Sequence, residues 1–163
     1  MEEAMNPAPA KKPANWHTAF VQAMRALFRP AIPDTLEFTP EFQLTNWPLR
    51  ADLLIRKKRP VQLTQSIGRI FAGHNILEYK SPGDRLSVRD FHKVCAYVAQ
   101  YAWKCRTRPG DLTMTLVSYG HPKGLLEYLA SKWGCRMEET ASGISVTKLG
   151  PMPLQVVEIG KLS

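Results

Sequence analysis

Two acidic side chains and one lysine have the types and spacing of a metal-dependent hydrolytic site. Glu78 and Lys80 lie two residues apart in a segment that alternates as a strand does, so both point to one face. Asp52 lies inside the apolar run 51–55, a second predicted strand. A charged side chain on a buried sheet face usually has an ion-pair partner or a functional role. Asp52 and Glu78 are therefore candidate ligands of Mg²⁺ or Mn²⁺, and Lys80 is the candidate group that positions a water molecule.

The same charges also allow a purely structural interpretation. Asp52 would then pair with Arg50 or Arg56, and Glu78 would pair with Lys80, as ion pairs between neighbouring side chains. Acidic and basic residues occur at this spacing by chance in many chains, so spacing alone leaves both interpretations open.

The sequence around Asp52, Glu78 and Lys80 resembles that of the PD-(D/E)XK phosphodiesterase superfamily. Asp52 stands in ADLLI, and Glu78 and Lys80 stand in GRIFAGHNILEYKSPGD, which the helix-like SVRDFHKVCAYVAQY follows. Over roughly residues 35–160, the sequence is similar to those of the bacterial and phage branch of the superfamily, the Rpn-like or transposase-associated proteins. The resemblance implies an α/β fold: a single restriction-endonuclease-like domain whose mixed central sheet is flanked by helices. It also implies Mg²⁺-dependent or Mn²⁺-dependent cleavage of DNA by Asp52, Glu78 and Lys80.

Two further features of the superfamily are changed in this chain. RecB-like members carry a Gln-x-x-x-Tyr pair on the helix after the motif, where this chain has Lys93 and Tyr97. The resemblance implies accessory roles for both, with a phosphate contact for Lys93; a solvated helix face is the alternative. Many members also have an acid on the first helix, but the predicted helix 15–29 has none. His17 and Gln22 are the available replacements, although a surface position is favoured for both, so we expect one ion or weak binding.

Four consecutive basic residues follow the Asp52 strand and are predicted to form a basic loop: Arg56, Lys57, Lys58 and Arg59. Each phosphate contact from such a loop would add affinity for DNA that depends on salt and not on base sequence. A loop that serves solubility is the alternative. The net charge of +8 favours a polyanionic partner.

The order of patterns along the chain predicts an α/β domain with a mixed sheet and helices on its faces. The expected order is a helix at 15–29, strands at 35–38, 49–55 and 74–80, a helix at 87–104, a strand at 112–119, a helix at 122–133, two short strands within 136–149, and a strand at 154–159. Pro40 is expected to weaken the strand pattern that follows it, where 42–44 is the stretch that could resume the strand. Residues 61–73 stay open, because 65–71 fit either one or two helical turns or part of an arm. Ser87 and Asp90 have the spacing of a capping box.

The predicted core faces follow from helical spacing. The first helix is expected to bury Phe20, Met24, Leu27 and Phe28, and the helix after the motif is expected to bury Phe91, Val94, Cys95, Val98 and Ala102.

Composition limits the class of protein. The 163 residues suit a flexible leader at 1–14 and one nuclease-like domain at 15–163. Membrane partners are not expected, because no apolar run approaches about 18 residues. An acidic N-terminus and three cysteines without metal-type spacing (Cys95, Cys105 and Cys135) favour a reducing cytoplasm. The resemblance implies that this is the cytoplasm of a bacterial or phage-infected cell. No glycine-rich phosphate loop or serine elbow supports nucleotide hydrolysis or serine chemistry.

Two functions from different classes remain. The first is a metal-dependent DNA endonuclease, which the complete trio of Asp52, Glu78 and Lys80 favours. The second is a nuclease fold without turnover that binds DNA or protein as a homo-oligomer or within a larger assembly. The first helix favours this second function, because it has no acid.

Overall fold

The computed structural model describes residues 16–32, 34–43 and 50–162, and the predicted leader lies outside these ranges. Within them the chain forms a seven-stranded mixed β-sheet with three α-helices. The helices are α1 (Trp16–Leu27), α2 (Val88–Cys105) and α3 (Lys123–Trp133), and the strands are β1 (Leu36–Gln43), β2 (Arg50–Lys57), β3 (His74–Tyr79), β4 (Leu112–Ser118), β5 (Glu138–Ala141), β6 (Ile144–Leu149) and β7 (Met152–Glu158). The α/β class predicted from the sequence is confirmed.

The strand order is β1-β2-β3-β4-β7-β6-β5. The three central strands β3, β4 and β7 run parallel, and the pairs on either side are antiparallel. Every residue of β4 is buried, as expected for a central parallel strand covered on both faces. The stretch left open at 61–73 contains a short 3₁₀ helix, Ser66–Ile70. Among the described helices, none is long and apolar enough to cross a membrane.

The start of α2 follows the predicted capping box. Ser87 Oγ accepts a hydrogen bond from the Asp90 N–H at 3.3 Å, and Asp90 Oδ2 accepts one from the Ser87 N–H at 2.9 Å. Its buried residues are Phe91, Val94, Tyr97, Val98 and Tyr101. They pack on the sheet face that carries Leu54, Ile76 and Met114. The prediction is confirmed for the centre of this face, whereas Cys95 and Ala102 are only partly buried at its rim.

Helix α1 covers the opposite face of the sheet, where Phe20 and Met24 are buried as predicted. Leu27 was expected in the core but is 41 % exposed, and Val21 is buried instead. The buried stripe of α1 is turned toward Val21, so Leu27 lies outside it, whereas Phe28 is buried as predicted.

Strand β1 is longer than the sequence predicts. It continues through Pro40 to Gln43, with Pro40 opposite Leu53 of β2. Pro40 was expected to weaken the strand after it, but β1 lies at the edge of the sheet, where proline is tolerated.

The turn between β5 and β6 requires a glycine at position 143. Gly143 has φ +72°, and a Cβ there would lie 2.6 Å from the carbonyl oxygen of Glu158. Gly150 has φ +58° but open space around it. Alanine at either position strains the backbone by about 1–2 kcal/mol, and only at Gly143 does it also overlap with another atom. We expect Gly143→Ala to lower the free energy of unfolding by about 1–3 kcal/mol more than Gly150→Ala, because of the overlap. Urea denaturation of both variants measures the difference, and equal losses would contradict the overlap.

Candidate active site between strands β2 and β3

Asp52 and Glu78 meet across an antiparallel pair of strands. Leu53 lies opposite Leu77 and Leu54 lies opposite Ile76 in the β2–β3 register. Continuing the register by one residue sets Asp52 opposite Glu78, and side chains at opposite positions share one face of the sheet. Both carboxylates line one cleft of about 300 Å³ at the end of these strands.

The Asp52 carboxylate is held at both oxygens. Its Oδ2 accepts a hydrogen bond from the Tyr79 N–H at 2.8 Å, and its Oδ1 lies 3.1 Å from His17 Nδ1. Arg56, one of the partners that the structural interpretation offers, binds Glu37 at 2.6 Å instead. Asp52 therefore faces the cleft with a side chain that is 11 % exposed, and among the described residues it has no arginine partner.

His17 is the contribution of α1 to the cleft. The sequence favoured a surface position for it, and 57 % of the side chain is exposed, but its ring also lies against Asp52 and lines the cleft. The Phe20 ring stacks on Tyr79 with centroids 4.7 Å apart, which fixes the start of α1 beside the end of β3. Gln22 is exposed, as expected, and does not line this cleft.

Glu78 is 1 % exposed and lies between two ammonium groups. Its Oε1 is 2.6 Å from Lys93 Nζ and 3.8 Å from Lys80 Nζ, while its Oε2 has no hydrogen-bond partner among the described residues. Burial raises the pKa of Glu78 to about 7, and the negative charge of Asp52 acts in the same direction against both lysines. The two lysines therefore do not fully offset the effect of burial and of the neighbouring Asp52 charge on the pKa of Glu78.

Lys80 is held by a third carboxylate that the sequence did not assign to the site. Lys80 Nζ lies 2.7 Å from Asp90 Oδ1, so its ammonium stands between Glu78 and Asp90. Burial opposes ionisation of Asp90, but hydrogen bonds from Lys80 and Ser87 outweigh it and lower the pKa of Asp90. Asp90 thus both caps α2 and fixes Lys80. Its position could have assigned Asp90 to the site, because it follows the motif segment closely and lies one helical turn before Lys93.

Lys93 contacts Glu78, and Tyr97 is buried beside Lys93, so the two do not form a fully solvated helix face. Tyr97 is 1 % exposed, and Lys93 Nζ lies 5.4 Å from the centroid of its ring. Burial alone would lower the pKa of Lys93, but the hydrogen bond and charge of Glu78 prevail and raise it. Lys93 is therefore a permanent cation that orients Glu78.

The predicted basic loop is not one loop, and it lies away from the cleft. Arg56 and Lys57 belong to β2, where Lys57 donates a hydrogen bond to the Phe71 carbonyl at 3.1 Å. Burial lowers the pKa of Lys57. Lys58 and Arg59 follow the strand. At about 3.3 Å per residue, the cluster begins about 13 Å along β2 from Asp52 and extends away from it.

The donor atoms of the cleft fit one hard cation. Each Asp52 oxygen accepts one contact and keeps a second lone pair, and Glu78 Oε2 is free of hydrogen bonds among the described residues. Mg²⁺ binds through one or two carboxylates and keeps several waters. In the described ranges no group of three His, Cys, Asp or Glu side chains is arranged to hold an ion by itself. An ion bound by Asp52 and Glu78 would therefore have to take its other ligands from water or from a bound molecule.

Comparisons of the chain with protein-family models, with curated proteins and with solved structures give no match. We therefore infer the function from the geometry of the cleft and from the motif that carries Asp52, Glu78 and Lys80.

Proposed function

We propose that the chain is a metal-dependent DNA endonuclease of the PD-(D/E)XK type with a restriction-endonuclease-like fold. One observation carries the proposal: Asp52 and Glu78 occupy opposite positions on adjacent strands and line one cleft, with Lys80 Nζ 3.8 Å from Glu78. Two neighbouring acids and an ammonium group are the parts that hydrolysis of a phosphodiester with one hard cation needs.

The topology supports the restriction-endonuclease-like assignment. The two acids lie on β2 and β3, and β3 continues in parallel into the centre of the sheet through β4. Helix α2 follows the motif directly and packs on the face that carries both acids, which brings Lys93 to Glu78.

In this proposal Asp52 and Glu78 hold the metal ion, and Lys80 acts on the attacking water. A Mg²⁺ or Mn²⁺ ion held by Asp52 and Glu78 would polarise the scissile phosphate and lower the pKa of a bound water. Lys80, fixed by Asp90, orients the attacking water and offsets the negative charge that develops on phosphorus. The water oxygen bonds to phosphorus and the bond to one ester oxygen breaks. The water's proton passes to solvent, the departing oxygen takes one up, and a phosphate monoester and a hydroxyl end result.

A nuclease fold without turnover is the second candidate, and one contact favours it. The Lys93 ammonium lies 2.6 Å from Glu78 and supplies positive charge to that carboxylate without a metal ion. In such a module the chain would bind DNA or a protein partner, as a homo-oligomer or within a larger assembly. The two candidates differ in whether the protein binds a divalent ion.

Cleavage of supercoiled plasmid tests the proposal. We expect nicked and linear DNA with Mg²⁺ or Mn²⁺ and none with EDTA. Asp52→Asn should lose this activity because it removes one of the two carboxylate ligands. Asp111→Asn is the matched control, because Asp111 pairs with Arg108 before β4, at the other end of the sheet, and should cleave as the wild type does. If the wild-type protein cleaves no DNA and binds no divalent ion by calorimetry, the nuclease proposal is wrong and the binding module without turnover is the function.

The setting that we propose is the cytoplasm of a bacterial or phage-infected cell. Cys95, Cys105 and Cys135 are all free thiols, which suits a reducing compartment.

A further inference from the structure

A groove of about 870 Å³ opens beside the cleft, between two segments that follow parallel strands. One wall is the stretch 82–89, which leads from β3 into α2, and the other is 118–125, which leads from β4 into α3. Because β3 and β4 are parallel, both segments leave the sheet at the same edge. Ligands of open α/β sheets commonly bind at this edge.

The walls carry three exposed cations, Arg85, Arg89 and Lys123. Neither arginine forms an ion pair with any residue that the structure describes. Lys123 has one long contact, 3.7 Å to Glu127 on its own helix, with both side chains largely exposed. Three cations around one groove repel each other and attract a polyanion.

The other titratable groups on the walls do not cancel this charge. Asp84 is the one acid among the lining residues, and Ser81 Oγ donates a hydrogen bond to it at 2.6 Å. His121 lies on the second wall with Nδ1 2.9 Å from the buried Glu158, so these two groups satisfy each other. The three cations therefore leave the groove with a positive balance.

The groove is continuous with the candidate active site. Asp84 lines both the groove and the carboxylate cleft. Arg89 directly precedes Asp90, whose carboxylate holds Lys80 at 2.7 Å, and Lys80 in turn lies 3.8 Å from Glu78. The groove and the cleft therefore adjoin at Asp84, so one extended ligand could contact both.

The second wall leaves room for a backbone and presents an aromatic ring. A Cβ at Gly120 or at Gly124 would meet nothing within 4 Å, so the main chain is open there. Tyr119 is 54 % exposed between β4 and α3. Exposed aromatic rings beside basic residues stack on unpaired bases in proteins that bind single strands.

We infer that this groove binds the phosphate backbone of the DNA strand that enters the cleft, through Arg85, Arg89 and Lys123; the inference rests on the proposed nuclease function. The basic segment 56–59 is less suited to this task. Arg56 is paired with Glu37 and Lys57 is bonded to a backbone carbonyl, and the segment begins at the far end of β2.

Two sets of substitutions that remove equal charge test the inference. The groove variant carries Arg85→Gln, Arg89→Gln and Lys123→Gln, and the matched variant carries Lys57→Gln, Lys58→Gln and Arg59→Gln. A fluorescein-labelled duplex and its single strand are titrated in Ca²⁺ at several salt concentrations. We expect the groove variant to flatten the slope of log K against log salt by about 2.7 units for the duplex and to lose affinity by about 10²-fold near 0.1 M salt. The matched variant should keep the wild-type slope.

The outcomes separate this inference from the proposed function. Wild-type protein that binds neither DNA probe overturns both. Wild-type protein that binds DNA, with an unchanged slope in the groove variant, overturns the inference alone, and a flattened slope in the matched variant assigns binding to the segment 56–59. The three single groove variants, each expected to flatten the slope by about 0.9 unit, keep the test decisive if the triple variant does not fold.

Discussion

Glu78→Gln is expected to abolish Mn²⁺ binding and DNA cleavage together. The substitution keeps the size of the side chain but removes the negative charge that a hard cation requires. Glu78 has one carboxylate oxygen without a hydrogen bond among the described residues, so its loss removes a ligand that no neighbour replaces. Calorimetry with Mn²⁺ and plasmid cleavage measure the two losses on the same protein.

Glu158→Gln is the matched control for this experiment. Glu158 is also a buried glutamate at the end of a central strand with two basic partners, His121 and Lys161, but it does not line the carboxylate cleft. We expect this variant to lose some stability and to keep Mn²⁺ binding. If Glu78→Gln lowers stability in the same way and leaves Mn²⁺ binding unchanged, Glu78 is a structural partner of Lys93.

The parts of the site that the sequence predicts are those that depend on local rules. The alternation of 74–80 sets Glu78 on one face of β3, because side-chain direction in a strand has a period of two. Ser87 and Asp90 set the first turn of α2, because a capping box involves only four consecutive residues. Neither rule depends on which helices and strands pack together in the folded chain.

Two residues of the cleft reach it through tertiary contacts: His17, which the sequence offered only as a less favoured replacement for an acid, and Asp90, which it did not assign to the site. His17 lies at Asp52 because the stacking of Phe20 on Tyr79 holds α1 against the end of β3. Asp90 had a sufficient explanation as a capping residue, which concealed its contact with Lys80. In both cases one residue acts across two elements, and helical spacing carries no information about the second element.

Charge density along the chain was a poor guide to charge density on the surface. The four basic residues at 56–59 are adjacent in sequence, yet strand alternation and internal hydrogen bonds disperse the first two. Arg85, Arg89 and Lys123 come from two separate segments and share a groove only because β3 and β4 are parallel neighbours. The pairing of strands had to be known before this surface was recognisable.

Lys80→Met is expected to lower the rate of DNA cleavage by about 10²–10³-fold while metal binding persists, because the loss of one preorganised electrostatic group has an effect of this size. Methionine keeps much of the volume of the side chain and removes the ammonium that stands between Glu78 and Asp90. Single-turnover cleavage and Mn²⁺ calorimetry separate the two effects. DNA affinity in Ca²⁺ should fall only slightly, because Lys80 is one cation beside a groove that carries three.

Asp90→Asn and Lys132→Met complete the test of Lys80. Asp90→Asn keeps the ammonium but weakens its 2.7 Å contact, so we expect a smaller loss of rate than with Lys80→Met. Lys132, in the last turn of α3 and away from the cleft, should tolerate the same change to methionine without effect. If Lys80→Met cleaves at the wild-type rate, the water-positioning role is wrong and Lys93 becomes the remaining ammonium at Glu78. If Lys80→Met and Glu78→Gln both unfold the chain, the two residues form a structural ion pair, because a buried charge that loses its partner destabilises the fold by about 3–5 kcal/mol.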